Sequence, residues 1–176
     1  MIIGFSGSGK STLAQNLGRR LGIAPTHLDR LHWLPGWVEN TLENKEKLLA
    51  PVLAQDRWII EGSYRNLYWR ERVEKADTII FLDVNRFTCL YHVWRRSRIW
   101  RGQTRPDMGE GCAEKLDFEF VKWVFWIGRK KRGRNLELIR QAAAAGKAVY
   151  HLKSSRAINK FLKGLVNNES PHELVQ

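Results

Sequence analysis

Cysteine and long apolar runs are scarce in this chain. Of its 176 residues, two are cysteines, Cys89 and Cys112, and they do not form a C-x-x-C pair. So few thiols exclude a four-cysteine zinc site, and we expect both to be reduced and non-catalytic. No apolar run approaches the roughly 18 residues that a membrane span requires. A glycine-rich motif already begins at residue 4. We therefore expect no signal peptide, no membrane contact and a cytoplasmic location.

Acidic residues are also in short supply. The chain has 18 Asp and Glu against 30 Lys and Arg, a net charge of +12, and a pI of about 10.1. Most of the excess lies between Arg86 and Arg134, which hold 13 basic and five acidic residues. Such a segment attracts an anion, which could be a triphosphate, a nucleic acid or an acidic protein surface. The alternative is a solvated basic face, and the sequence contains no helix-turn-helix, zinc-finger or RNA-recognition motif.

The first residues that carry chemistry form a complete phosphate-binding loop. Gly4-Phe5-Ser6-Gly7-Ser8-Gly9-Lys10-Ser11 matches G-x-x-x-x-G-K-[ST], with an apolar stub before it and a helical pattern behind it. Glycines let backbone N–H groups approach a phosphate, and the helix N-terminus adds its dipole. Lys10 would reach the β- and γ-phosphates of ATP, and Ser11 would bind Mg²⁺. The predicted phosphate-binding residues are Gly4, Ser6, Gly7, Ser8, Gly9, Lys10, Ser11 and Thr12.

Strand and helix patterns alternate along the rest of the chain. The predicted strands are 1–3, 26–28, 58–60, 78–82 and 148–152, and the predicted helices include 11–21, 41–55, 113–127, 134–145 and 155–165. This order predicts the three-layer α/β fold of P-loop NTPases, with a five-stranded parallel sheet flanked by helices. We expect one domain over residues 1–167 and a polar tail over 168–176.

Carboxylates follow three of the predicted strands. Ligands of such sheets collect at the carboxyl ends of the strands. Glu61 and Asp83 are therefore two candidates for holding Mg²⁺, directly or through water. Asp29 could accept a proton or a hydrogen bond from an acceptor substrate. For each of the three, the alternative is a helix cap or a loop anchor.

Several further motifs resemble a known group. His27-Leu28-Asp29, Trp33-x-x-Gly36-Trp37, Trp58-Ile59-Ile60-Glu61-Gly62 and Arg105-Pro106-Asp107-Met108 resemble the adenylate-kinase-related "DNA topology modulation protein" family over residues 1–162. The resemblance implies a nucleoside-monophosphate-kinase-like fold, with an acceptor-binding insertion at 30–55 and a lid at 98–113. It places Glu61 near Mg²⁺, Arg65 on an acceptor phosphate, Arg96 on the transferring phosphate, Arg105 in the lid, and Arg156 in a loop against the adenine.

Three groups of residues have more than one interpretation. The aromatic side chains of the predicted helix 113–127 are expected to pack in the core, with a partner interface as the alternative. The run 129–132 is expected to face solvent or an acidic partner. Trp33 and Trp37 follow Asp29 and are candidates for contact with a base or ring.

Two functions are compatible with these patterns. The first is a magnesium-dependent kinase that transfers the γ-phosphate of ATP to a nucleotide or another small acceptor. In it, Lys10, Arg65, Arg96 and Arg105 would stabilise phosphate charge, and Asp29 would orient the acceptor. The second is a nucleic-acid-binding ATPase that uses the basic segment 86–134. Binding through many nucleic-acid phosphates would weaken steeply with salt, which separates the two hypotheses.

Overall fold

The computed structural model describes residues 1–165, so the predicted tail at 168–176 lies outside the described residues. The helices and strands are, in chain order, β1 (Ile2–Gly4), α1 (Lys10–Leu21), β2 (Pro25–His27), α2 (Leu28–His32), β3 (Trp33–Leu34), β4 (Val38–Glu39), α3 (Leu42–Leu53), β5 (Ile59–Glu61), α4 (Trp69–Lys75), β6 (Thr78–Leu82), α5 (Arg86–Ile99), α6 (Phe118–Lys122), α7 (Arg132–Ala144), β7 (Ala148–Leu152) and α8 (Ser155–Gly164). A 3-10 turn (Pro35–Trp37) joins β3 to β4. A π turn (Trp123–Ile127) and a second 3-10 turn (Gly128–Lys131) join α6 to α7.

Five strands form one parallel sheet in the order β2-β5-β1-β6-β7. Strand β1, which leads into the phosphate loop, lies at the centre between β5 and β6. Helices cover both faces of the sheet, and the predicted three-layer α/β fold of P-loop NTPases is confirmed. None of the helices within residues 1–165 is both long and apolar enough to cross a membrane.

The core is divided by the alternation of side chains along each strand. Ile2, Ile80 and Leu82 pack against α1 and α8, where they meet Leu13 and Phe161. Their neighbours in sequence point the other way and pack against α5 and α7, in a cluster that includes Ile3, Ile79, Phe81, Val93 and Leu138. A third cluster joins β5 to α2 and α3 through Leu28, Leu49, Leu53, Ile60 and Leu67. The sheet is thus apolar on both faces, and its polar groups gather at the strand ends.

The helical prediction for residues 113–127 is wrong at its start. The helix begins at Phe118, because the Asp117 side chain caps it by accepting a hydrogen bond from the Phe120 backbone N–H at 2.7 Å. It then continues as π and 3-10 turns directly into α7, where a loop containing Gly128 and Gly133 was expected. Sequence patterns also missed α4, whose seven residues are too few for a clear helical period.

The expectation that the 113–127 aromatics fill the core is wrong as well. Within residues 118–127, Val124 is the buried residue, whereas Phe118 is 81% and Trp126 is 61% exposed. The segment packs against α5 with Val124 in the core and Phe120 packed on it, whereas Phe118, Trp123 and Trp126 are exposed.

Asp83, just after β6, binds across the sheet rather than towards the phosphate loop. Its two carboxylate oxygens share the hydrogen of Arg132 Nε, each at 3.0 Å, and Oδ2 also accepts a hydrogen bond from Arg132 Nη2 at 2.8 Å and lies 2.9 Å from His151 Nε2. Burial raises the pKa of Asp83, but hydrogen bonds and charge from Arg132 and His151 outweigh it and leave the pKa below its ordinary value. This carboxylate therefore ties β6, β7 and α7 together.

Candidate active site

The phosphate loop packs so tightly against α5 that glycine is required at its centre. Gly7 has a φ of 74°, and a Cβ at this position would lie 2.4 Å from the carbonyl oxygen of Cys89. His92, one turn further along α5, places its Nδ1 at 2.9 Å from the Gly7 carbonyl oxygen. The backbone N–H of Ser8 donates to the Phe5 carbonyl oxygen at 3.1 Å. The loop is thus preformed with its N–H groups gathered at the start of α1.

The polar side chains of the loop are available to a ligand. Lys10 is the first residue of α1, and its Nζ donates to the Phe5 carbonyl oxygen at 3.1 Å. The buried Ser8 hydroxyl has no hydrogen-bond partner among the described residues. Ser6 is half-buried, and Thr12 is exposed on the first turn of α1. A narrow cradle of glycines with a lysine and an orphaned hydroxyl fits a phosphate chain.

Glu61, at the end of β5, lies directly beside this loop. It is 1% exposed, and its Oε1 accepts a hydrogen bond from the Ser11 hydroxyl at 3.0 Å and lies 2.9 Å from His27 Nδ1. The arrangement follows from strand register, since Glu61 pairs with both Ile2 of β1 and His27 of β2. Of the two carboxylates considered for Mg²⁺, Glu61 is therefore beside Ser11, whereas Asp83 is held by Arg132 and His151.

The side-chain oxygen atoms of Ser11 and Glu61 are too few to bind Mg²⁺ alone and would need phosphate oxygens beside them. Among residues 1–165, no group of three or more His, Cys, Asp or Glu side chains is arranged to hold a metal. Mg²⁺ is usually bound by one or two carboxylates plus waters and substrate phosphates, rather than by a cage of protein ligands. Ser11 and Glu61 fit that pattern.

Asp29, in the first turn of α2, forms the second carboxylate of the site. It accepts a hydrogen bond from the Tyr64 hydroxyl at 2.6 Å. Burial and the nearby charge of Glu61 raise the pKa of Asp29, while Lys10, Tyr64 and Arg105 act in the opposite direction. Asp29 therefore lies within electrostatic reach of Glu61, Lys10 and Arg105.

The loop that carries Tyr64 is held by a fully buried arginine. Arg72 of α4 donates to the carbonyl oxygens of Leu67 at 2.9 Å, Gly62 at 3.3 Å and Tyr64. Burial lowers the pKa of Arg72 to about 10. The helix α4, which the sequence patterns missed, therefore fixes the chain that follows Glu61.

The loop between α5 and α6, residues 100–117, brings two arginines to one carboxylate. Glu114 is 6% exposed, and its two oxygens accept hydrogen bonds from Arg96 Nε and Arg105 Nε, both at 2.7 Å. Arg105 Nη1 also donates to Asp107 Oδ2 at 2.7 Å. Burial raises the pKa of Asp107, but the charge of Arg105, the Ser11 hydroxyl and His27 outweigh it and lower the pKa. The 100–117 loop thus reaches the phosphate loop at Ser11.

The same loop is closed over the β3–β4 hairpin. The Gly36 N–H donates to the Gly111 carbonyl at 3.2 Å, and Trp37 Nε1 donates to the Ala113 carbonyl at 3.1 Å. The Cys112 thiol donates to the Leu34 carbonyl at 3.2 Å. Gly109 lies so close to Trp33 that a Cβ there would be 2.2 Å from its carbonyl oxygen. Residues 30–40 and 100–117 therefore cover the site together.

Two of the predicted site arginines lie apart from this cluster. Arg65 is exposed, with its guanidinium carbon 4.4 Å from the centre of the Trp69 ring, and it makes no ion pair with any of residues 1–165. Burial and the charge of Arg134 lower its pKa. Arg156 is exposed on the first turn of α8.

The site contains residues that the sequence patterns did not single out as site residues. They are His27, Tyr64, Asp107, Glu114 and Arg129. His27 and Asp107 lie within motifs quoted above for the resemblance, whereas Glu114 could not be found without knowing which arginines it meets. Arg129 corrects the expectation that 129–132 faces solvent: its guanidinium carbon is 3.9 Å from the centre of the Phe5 ring, and Nη2 lies 3.2 Å from Cys89 Sγ.

Comparison with known proteins gives a weak match in structure and none in sequence. No protein-family model matches the chain, and no curated protein matches it. A similar solved structure is that of deoxyadenosine kinase from M. mycoides with bound dCTP, which is 12% identical. The match covers 96% of this chain and 100% of the other, with a TM-score of 0.43. The fold assignment therefore depends on the sheet order and the phosphate loop.

Replacing Glu114 with Gln should open the 100–117 loop. Arg96 and Arg105 would lose their charged partner, and an unpaired buried group of this kind destabilises the folded loop by about 1–3 kcal/mol. We therefore expect trypsin to cleave the loop roughly 10- to 100-fold faster than in the unmodified protein. Limited proteolysis followed by mass spectrometry measures the rate at Arg101 and Lys115, which are exposed in this loop.

The matched control is Glu110→Gln, which removes an exposed carboxylate from the same loop. It should leave the cleavage rate unchanged. Equal cleavage of the two variants would mean that Glu114 does not hold the loop closed.

Proposed function

We propose that the protein is a magnesium-dependent phosphotransferase that moves the γ-phosphoryl group of ATP to a small acceptor in the cytoplasm. We further propose that it belongs to the adenylate-kinase-related "DNA topology modulation protein" family. The observation that supports this best is the meeting of Lys10, Ser11, Glu61, Asp29 and Arg105 at the carboxyl edge of the sheet. Phosphoryl transfer depends on positioning and on positive charge around the moving group, and this edge offers both.

The donor side of the site consists of the phosphate loop. Residues 4–12 would hold the phosphates of ATP, and ATP supplies the phosphoryl group. Ser11 and Glu61 would hold Mg²⁺, with Glu61 acting directly or through water. Lys10, at the N-terminus of α1, would release the Phe5 carbonyl and neutralise charge on the phosphates. Residues 153–156, with Arg156 on the first turn of α8, would lie against the adenine.

The loop 98–113 would act as a lid. It already contacts the β3–β4 hairpin, and in the closed state it would exclude water from the space above Ser11 and so strengthen the charge interactions there. Arg105 is close enough to Asp29 and Lys10 to affect the same region electrostatically. Arg96 and Arg105 both donate to the Glu114 carboxylate, so closure of the lid would position the two guanidinium groups together. The segment 30–55 would form the acceptor-binding side.

Replacing Lys10 with Ala should abolish transfer. Removal of one charge that stabilises the transition state typically costs a factor of about 10²–10³ in kcat. ADP formation measured by a coupled assay should fall by at least that much, while the thermal unfolding midpoint stays close to the unmodified value. Lys163→Ala, which removes an exposed lysine from α8, is the matched control. Unchanged turnover in Lys10→Ala would remove the phosphate loop from the mechanism.

A second candidate function is a nucleic-acid-coupled ATPase. The observation that favours it is an exposed aromatic face on α5, formed by Phe87, Tyr91 and Trp94 at 70%, 56% and 46% exposure. The guanidinium of Arg98 lies 5.1 Å from the centre of the Trp94 ring. The bases of single-stranded nucleic acids stack on aromatic side chains that have cationic side chains beside them. Against it, Arg96, Arg105, Arg129 and Arg132 of the basic segment are engaged within the protein.

Binding of a fluorescent single-stranded oligonucleotide tests this second candidate. If it is right, anisotropy should show binding that weakens steeply with salt. Tyr91→Ala should then cost about 1–3 kcal/mol of binding free energy, the value of one stacked base. Arg140→Gln, which changes an exposed cation on α7 that pairs with Glu137, should have little effect. Absence of binding at low salt would discard the nucleic-acid-coupled ATPase.

A further inference from the structure

Two carboxylates lie on the acceptor side of the site. Asp29 is close enough to Glu61 to feel its charge, and it accepts a hydrogen bond from the Tyr64 hydroxyl. Lys10 and Arg105 also act on Asp29, but in the proposed function their charge is taken up by the phosphates of ATP. The two carboxylates would then repel a phosphate ester, which would bring about two further negative charges. A neutral hydroxyl group meets no such repulsion, and a carboxylate can accept its hydrogen bond.

The same side is lined by aromatic rings that form one continuous row. The His32 ring lies 4.5 Å from Tyr64 and 4.6 Å from Trp33, and Trp33 lies 5.5 Å from Trp37, measured between ring centres. Tyr64 begins this row at Asp29. Trp37 ends it beneath the 100–117 loop, where its Nε1 donates to the Ala113 carbonyl. Such a row offers stacking and edge contacts to a flat ring.

The cations near this row are engaged within the protein, exposed to solvent, or placed over a ring, as Lys115 is with its Nζ 5.7 Å from the centre of the Trp37 ring. Lys45 is buried and donates to Glu39 Oε1 at 3.1 Å, with its Nζ 3.2 Å from His32 Nδ1. Arg65 lies over Trp69 and is exposed, and Arg30 is exposed on α2. Lys10 and Arg105 lie at the phosphate loop and the lid, where they serve the donor. No bidentate arginine clamp for an acceptor phosphate is present among the described side chains of this row.

We infer that the acceptor is a hydroxyl group on a neutral molecule with a planar ring, of the nucleoside class, and that Asp29 is the base that takes the hydroxyl proton. This inference rests on the proposed function and names its acceptor. It departs from the acceptor phosphate that the family resemblance implied for Arg65.

The transfer step then balances without another reactant. The acceptor oxygen forms a bond to the γ-phosphorus of ATP as the bond from that phosphorus to the β,γ-bridging oxygen breaks. The electron pair of the broken bond stays on ADP. The hydroxyl proton moves to the carboxylate of Asp29 and from there to water. The products are the phosphorylated acceptor, ADP and one proton.

The surroundings of Asp29 give this step a pH dependence. The groups that face it are Glu61 from β5, Lys10 from α1, Tyr64 from the loop after β5, and Arg105 from the lid. A base must be ionised to accept a proton, so the rate of transfer should fall at low pH as Asp29 becomes protonated.

The experiment compares acceptors that differ only in their phosphate. ATP labelled at the γ-position is supplied with Mg²⁺ and with each of the common nucleosides, deoxynucleosides and their 5′-monophosphates. We expect a labelled product from at least one nucleoside, with kcat/KM at least tenfold above that of its monophosphate. A preference for monophosphates, or label released to water alone, would overturn the inference while leaving ATP use intact. Failure to bind ATP at all would instead overturn the proposed function.

The variant Asp29→Asn tests whether Asp29 acts as the base or only supports the structure of the site. We expect transfer to the nucleoside to fall by about 10²–10⁴, with unchanged ATP affinity and loss of the acidic limb of the pH profile. Glu74→Gln, which alters an exposed carboxylate on α4, is the control. If Asp29→Asn keeps the acidic limb, or loses ATP affinity as strongly as turnover, Asp29 is not the base.

Discussion

A single buried carboxylate organises the active edge of this molecule. Glu61 joins three strands through its position, since β5 lies between β1 and β2 and its last residue is in register with both. It joins the sheet to the phosphate loop through Ser11 and to β2 through His27. A carboxylate that is 1% exposed requires such partners, because burying an unpaired charge is costly. The placement of Ser11, and with it the start of α1, therefore follows from the sheet.

A second buried carboxylate organises the 100–117 loop, which covers the site. Glu114 gathers Arg96 from α5 and Arg105 from the 100–117 loop, and Arg105 in turn holds Asp107 near Ser11. Glu114 and Glu61 are therefore linked through Arg105, Asp107 and Ser11. In the proposed kinase, these contacts would connect the position of the lid with the state of the donor phosphates.

The sequence predicted the sheet and the phosphate loop well, because both leave local patterns. Buried parallel strands are short apolar runs, and the loop has fixed spacing of Gly, Lys and Ser. Arg96 and Arg105 could be proposed only from resemblance and from their crowding around a glycine-containing loop. Their shared partner Glu114 lies 18 and 9 residues away and has no local signature. The roles of the two strand-end carboxylates likewise depended on contacts with distant residues, Ser11 for Glu61 and Arg132 for Asp83.

The aromatic segment shows a different limit of sequence patterns. An all-round apolar helix is usually a core helix, but here Phe118, Trp123 and Trp126 are exposed. Hydrophobic content alone does not say which elements will cover a helix. Sequence patterns missed α4 for a related reason. This helix is attached to the backbone after Glu61 by a buried charged residue, Arg72, rather than by a row of apolar side chains.

The most direct test of this account is metal binding at Glu61. Mn²⁺ can replace Mg²⁺ and is visible by electron paramagnetic resonance, so free and bound metal can be measured in the presence of ATP. If Glu61 and Ser11 hold the metal, Glu61→Gln should weaken Mn²⁺ binding in the ATP complex by about tenfold or more, as expected for loss of an oriented ligand. Binding of ATP in the presence of a chelator should change much less. Equal Mn²⁺ affinity in both proteins would contradict the central role assigned to this carboxylate.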